Sequence, residues 1–265
     1  MSSLNFDIIL SIPDIELTVE NLDIDFKIFK NNKTECNKAI VNIWNLSDTY
    51  YENIVEKQHL IELYTIFADE DPEMIFCGYT ENDKLRQKRD AADKCIQFTL
   101  IDGLTAYTAT VNKSYRNKVV STRIIEDCIK AMDISIGLQD TELPTMSFDS
   151  YKAYGFAHVV LQEICEPLGI NFCVQNNMAH LIAADGKNND AETHILNTSN
   201  CSGITRKGSG EFVIETQMIS SLLPNDWVEC EFDEIITDTV RIKEICHSGN
   251  NYGKKCISEI TIEGN

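Results

Sequence analysis

Between Leu22 and Lys30 the chain reads Leu-Asp-Ile-Asp-Phe-Lys-Ile-Phe-Lys, apolar at every second position over most of its length. Side chains alternate across a strand, so Leu22, Ile24, Phe26 and Ile28 face one side and Asp23, Asp25 and Lys27 the other. A strand of this kind has one wet face and must bury the other. More short runs follow: Phe6–Ile12 before Pro13, Ala39–Trp44, Leu60–Phe67, Met74–Tyr79 and Lys94–Asp102. Asn31 to Thr34 and Ala68 to Pro72 read as turns, and Ser47 reads as the N-cap of a helix running to about Lys57. About six strands and one helix predict a small barrel or sandwich over residues 1–112.

The pattern then changes. Ile124, Ile125, Cys128, Ile129 and Met132 keep helical spacing, with Ser121 or Thr122 as the expected cap. A second helix is expected from Gly155 or Phe156 to Cys165, ended by Pro167 and Gly169. Asn176-Asn177 between Asn171–Gln175 and Met178–Ala184 reads as a hairpin tip, because Asn tolerates the positive φ of tight turns. Residues 113–190 are therefore expected to form an α+β unit. The polar stretch 186–210 reads as loop or linker. Strands return at Phe212–Met218, Trp227–Phe232, Val240–His247 and Cys256–Glu263, so 191–265 reads as a polar linker and a second β unit. The fold class expected is α+β.

No apolar run approaches the roughly 18–20 residues of a membrane span. The start, Met1-Ser2-Ser3-Leu4-Asn5-Phe6-Asp7, lacks a basic segment, so no signal peptide and a reducing cytoplasm are expected. The 10 cysteines show no CxxC or CxxH spacing, which reads as small buried hydrophobes rather than zinc ligands or a disulfide framework. Against 42 carboxylates stand 23 Lys and Arg, a net charge of −19. Gripping nucleic acid or an anionic membrane needs cations, so this balance argues against both. It fits plain solubility, or a surface over which DNA passes without sticking.

Catalytic patterns are lacking. There is no GxSxG elbow, P-loop or HExxH, and no two of the five histidines stand at i, i+4. Asp69-Glu70-Asp71 lacks calcium-loop spacing and reads as a solvated turn. His158 and Cys165 are seven apart on one predicted helix and can share a face, but Cys165 continues its apolar stripe. Neither an enzyme nor a bound cofactor or metal is expected. One cationic cluster stands out, Lys84-Leu-Arg-Gln-Lys-Arg-Asp90. Lys84, Arg86, Lys88 and Arg89 either blunt an exposed strand edge or contact the acidic face of a neighbouring subunit.

Ala39-Ile-Val-Asn-Ile-Trp-Asn-Leu-Ser-Asp-Thr-Tyr-Tyr-Glu-Asn-Ile54 resembles a pattern in baseplate hub proteins of long-tailed bacteriophages, contractile-tailed ones foremost. There a strand runs into I-x-N-L-S and a short helix follows. Ile75-Phe-Cys-Gly-Tyr79 is similar to that family's I-F-x-G strand, and Ile101-Asp102-Gly103 to the D-G that closes its first barrel. Val111-Asn-Lys-Ser-Tyr115, the hairpin Phe172–Ile182 and Tyr252-Gly253 with the strand after it resemble later parts of the family, in order. The 186–210 loop and the cysteine content match no motif of it, and no cell-wall-cleaving domain is seen.

The resemblance implies two tail-tube-like antiparallel β-barrels flanking the α+β unit. It implies a non-enzymatic hub in the virion tail baseplate, assembled in the host cytoplasm. Three copies would form a pseudo-hexameric ring joining the tail tube protein to the central spike protein. Other baseplate proteins would surround it, DNA would pass through the lumen, and no membrane would be involved. A tail-tube adaptor, the hub of a related contractile injection machine, and a hydrolase with an unrecognised site remain as alternatives.

Overall fold

A computed structural model describes residues 6–67, 71–81, 85–90, 93–139, 143–183, 193–232, 235–253 and 255–263. The chain divides into two compact units, one of residues 1–31, 37–102 and 193–265, the other of 32–36 and 103–192.

The first unit begins with β1 (Phe6–Ile12), β2 (Leu17–Val19), β3 (Ile24–Asn31), β4 (Lys38–Trp44), α1 (Asp48–Glu56), β5 (Leu60–Phe67), β6 (Glu73–Thr80), β7 (Arg86–Asp90) and β8 (Asp93–Ile101). The alternation read in the sequence is the burial pattern observed. Ile24, Phe26 and Ile28 are 0–3% exposed, while Lys27 and Phe29 face out. Parity carries the pattern one step further than hydrophobicity does, so Lys30 also points inward, at 2% exposure. Ser47 caps α1 as expected, its Oγ accepting from the Tyr50 N–H at 3.4 Å.

The second unit holds α2 (Leu104–Thr108), β9 (Thr110–Tyr115), β10 (Val119–Val120), α3 (Ser121–Met132), β11 (Ser135–Gln139), β12 (Ser147–Phe148), β13 (Tyr151–Phe156), α4 (Ala157–Cys165), β14 (Ile170–Gln175) and β15 (Met178–Ala183). Its core joins the apolar faces of α3 and α4 to Phe172, Val174 and Leu181 of the hairpin. Asn176 and Asn177 take φ of 53° and 60°, as the two-residue turn requires. Neither Ser121 nor Thr122 is the cap of α3; Val120 stands there, with no side-chain capping bond. Ser121 is the first helical residue, and its Oγ accepts from the Met146 N–H at 3.1 Å, tying α3 to the segment before β12. Asp127 fixes the other side of α3: Lys113 lies 2.7 Å away and the Tyr115 hydroxyl donates at 2.6 Å. Burial pushes the Asp127 carboxyl up, but those partners and Arg123 outweigh it and hold the group below its usual range.

The chain then returns to the first unit with β16 (His194–Asn197), β17 (Cys201–Arg206), β18 (Glu211–Gln217), β19 (Trp227–Phe232), β20 (Ile236–Asn250) and β21 (Lys255–Glu263). Two of these correct the reading of 186–210 as loop. β16 pairs in parallel with β19, and β17 is an edge strand on β18. An edge strand that sets only Cys201 and Ile204 against the core needs no apolar alternation, so Cys201-Ser-Gly-Ile-Thr-Arg206 carries little strand signal. Residues 184–192 lie outside the described residues.

The main sheet runs β17-β18-β21-β20-β3-β4-β8-β6-β5-β1-β2. Its seam is the antiparallel pairing of β3 with β20, from Glu244↔Asn31 to Asn250↔Asp25. That pairing joins the N-terminal strands to the C-terminal ones. β20 serves three partners along its length, β19 up to Arg241, then β21 from Ile242 and β3 from Glu244, with a register shift against β21 between Ile242 and Glu244. Gly249 lies at a tight point of the seam, since a Cβ there would meet the Phe26 ring at 2.9 Å and Cys256 Sγ at 3.0 Å. The fold is α+β, mostly antiparallel strand, and among the described residues no sheet closes on itself.

Candidate assembly surface

The basic cluster falls on β7. Among the described residues this strand pairs with β8 alone, from Arg86↔Gln97 to Asp90↔Asp93, so its other side is a free edge. Arg86, Lys88 and Arg89 therefore share one edge strand, and Arg86 is exposed. Lys84, and the side chains of Lys88 and Arg89, lie outside the described residues, as do Asp69 and Glu70. A free edge offers unpaired N–H and C=O groups to a second strand, and cations on it select acidic partners.

On the outward face of the same sheet Phe29 and Ile40 are 42% and 36% exposed. Lys38 stands opposite Phe29 on β4, and Lys27 Nζ lies 5.1 Å from the Phe29 ring centre. Isolated exposed apolar residues are ordinary, but here they lie in register with cations beside the seam.

The inward face holds a polar cluster that the sequence motifs did not signal. Lys30 is surrounded by Asp102, Asp226, Glu73 and Cys77, and its Nζ has no hydrogen-bond partner among the described residues. Burial pulls its ammonium down to about 8 despite those acidic neighbours. Asp226 is pushed up to about 6 by burial, against a 2.7 Å bond from the Leu223 N–H and the Lys30 charge. Beside them His247 Nδ1 and Ser258 Oγ are 2.8 Å apart, and both residues are 0% exposed.

That Ser–His pair has the distance of a nucleophile and its base, so its chemistry needs weighing. Burial first, then the Lys30 charge, lowers His247 to about 3. Ser258 Oγ also accepts from the Ile219 N–H at 3.2 Å. A sealed, feebly basic imidazole beside a hydroxyl already engaged fits strand linkage better than turnover. Ser221 Oγ and His194 Nε2 form an exposed pair at 3.4 Å, and among the described residues no carboxylate salt-bridges His194. Cys165 is 1% exposed and burial pushes its thiol up to about 12, so the thiolate a nucleophile needs is disfavoured. His158, on the same helix, lies 5.0 Å from the Tyr107 ring, with burial lowering its basicity.

All ten cysteines are free. Cys173 and Cys230 are buried as expected and Cys95 is partly exposed. Among the described residues no group of three metal-ligating side chains converges, and no helix is long and apolar enough to cross a membrane.

Compared with known proteins, the sequence matches no family profile and no curated protein. Solved structures do match. A 43 kDa tail protein of prophage MuSo2 from Shewanella oneidensis superposes with a TM-score of 0.70 at 11% identity, over 98% of each chain. A tail protein from Neisseria meningitidis gives 0.71 at 8% identity, over 98% of this chain and 97% of that one. An E. coli component of the type VI secretion system, described as structurally similar to bacteriophage T4 tail proteins, gives 0.64 at 11% identity, over 97% of this chain and 76% of that one. The fold is the one these tail and secretion proteins share, in agreement with the hub resemblance seen in the sequence.

Proposed function

We propose that this chain is a non-enzymatic baseplate hub subunit of a bacteriophage tail. The observation that carries the reading is the end-to-end match to two prophage tail proteins, with almost nothing left over on either chain.

On this reading residues 1–112 and 191–265 supply two tail-tube-like barrel modules, joined by the β3–β20 seam, and residues 113–190 form the α+β unit that separates them in sequence. Three copies then present six modules, a pseudo-hexameric ring that meets the sixfold tube protein on one side and the threefold spike protein on the other. DNA crosses the lumen during ejection, and the net charge of −19 keeps it from adhering. The β7 edge, with Lys84, Arg86, Lys88 and Arg89, contacts an acidic face of a neighbouring subunit. The subunit is assembled in the host cytoplasm and resides in the virion baseplate beside other baseplate proteins. The likeness to the type VI secretion component supports a second reading, the hub of a related contractile injection machine.

Native mass spectrometry of the purified chain, alone and mixed with its tube and spike proteins, tests this. A three-copy species is expected. Single copies in every mixture, with a bound small molecule in an enclosed polar site, would favour the hydrolase alternative.

A further inference from the structure

The second unit carries a surface whose composition departs from the rest of the chain. β9 and β13 form a two-stranded ribbon, paired from Tyr151↔Tyr115 to Phe156↔Thr110. Its inner face puts Val111 and Ala153 into the core. Its outer face presents Lys152, Tyr154 and Phe156 on β13 beside Ser114, Asn112 and Thr110 on β9. Tyr154 is 70% exposed and Phe156 52%, two aromatic rings at i, i+2 on one flat face.

The charge around it is equally distinct. In a chain of net charge −19, residues 103–125 and 150–162 contain no Asp or Glu. Lys113 and Arg123 are engaged by Asp127. Arg116, Lys118 and Lys152 are exposed, and none of them makes an ion pair among the described residues. A face rich in Tyr and Phe, whose own two strands carry no carboxylate and whose rim holds cations without an ion pair among the described residues, has the make-up of a protein interface. Its partner should be apolar at the centre and acidic at the rim.

This chain itself has such a surface. On α1, Glu52, Val55 and Glu56 stand at i, i+3 and i+4 and share one helix face. All three are exposed, Val55 at 42%. No Lys or Arg lies within the helix, Lys57 at its C-cap reaches Asp14 at 3.9 Å, and its one buried residue, Ile54, points the other way. Building on the self-assembly proposed above, we infer that the β9–β13 ribbon of one copy docks α1 of a second copy. Val55 covers Tyr154 and Phe156, while Glu52 and Glu56 meet Lys152, Arg116 and Lys118. The contact joins different surfaces of the two partners, so repeating it generates a ring or a filament rather than an isolated twofold dimer. Single-stranded nucleic acid also stacks on aromatic, cationic faces, but the net charge of the chain disfavours it.

Sedimentation velocity of the full chain tests the pairing, with circular dichroism melts to confirm that each variant folds. Phe156→Ser should weaken self-association by about tenfold or more. Glu52→Lys with Glu56→Lys should do the same, as should Arg116→Glu with Lys152→Glu. Combining the two charge reversals should restore association. Association that survives every variant overturns the inference and leaves self-assembly standing. A wild-type chain that is monomeric at the highest concentration reached overturns it too. So does a fluorescent oligothymidine that binds the wild type but not Phe156→Ser, which would assign the face to nucleic acid.

Discussion

Replacing Lys30 by methionine should stabilise the protein near neutral pH, and the gain should shrink as pH rises. Lys30 is 2% exposed, with its ammonium lowered from 10.5 to about 8 by burial. At about 1.4 kcal/mol per pH unit, that gap means a cost to folding of about 3 kcal/mol while the amine is charged in both states. The sign follows from proton uptake. Below about 8 folded and unfolded chains both hold the proton, and the full cost is present. Between about 8 and 10.5 only the unfolded chain holds it, so stability rises with pH. Methionine fills a similar volume without the charge, but leaves Asp102 and Asp226 without their cation. The net gain expected at pH 6.5 is therefore about 1–3 kcal/mol. Urea denaturation followed by tryptophan fluorescence at pH 6.5 and 9.5 reads this directly, because Trp44 and Trp227 both lie in the unit that contains Lys30. A Lys30→Met variant destabilised by about 3–5 kcal/mol at both pH values would refute the reasoning. It would mean that the surrounding carboxylates stabilise the ammonium by more than its desolvation costs.

Three further outcomes are expected. Gly249→Ala should cost about 1–3 kcal/mol in the same denaturation assay, since its Cβ would press on Phe26 and Cys256 across the seam; an unchanged midpoint would show that the seam relaxes freely. Asp127→Asn should destabilise the second unit at neutral pH, by circular dichroism melting. Because the native carboxyl is held low, the difference should vanish as pH falls below its usual range, and a pH-independent difference would point to packing instead. Cys165 should resist alkylation in the native protein at pH 8, whereas Cys36 and Cys95, which are partly exposed, should react; rapid native modification of Cys165 would revive a nucleophilic role.

What the sequence made legible follows from how burial writes itself into residue type. β3 was readable through Ile28 because each inward position is apolar. Lys30 was not, because its polarity hides an inward position that strand parity alone reveals. Ser47 announced α1 through local chemistry, while Ser121 misled because its hydroxyl is used by the distant Met146 backbone. β16 and β17 stayed hidden in the polar 186–210 stretch. One depends on a parallel partner far along the chain, and the other is an edge with little to bury. The start of β20, Ile236-Thr-Asp-Thr, is polar for the same reason: it pairs with β19 rather than crossing the apolar seam.

For candidate surfaces, the basic run at 84–90 drew the eye because its cations adjoin. The ribbon did not, because its cations are dispersed across residues 113–152 and its aromatics alternate with small residues. The signal that marks it is an absence, the lack of Asp and Glu over residues 103–125 in a chain that carries 42 of them.

The hub reading is tested most directly by electron microscopy of the assembled tail with this chain labelled. The account predicts threefold density on the tail axis, between the tube and the spike. Label found away from the axis, or in no fixed position in the tail, would contradict it.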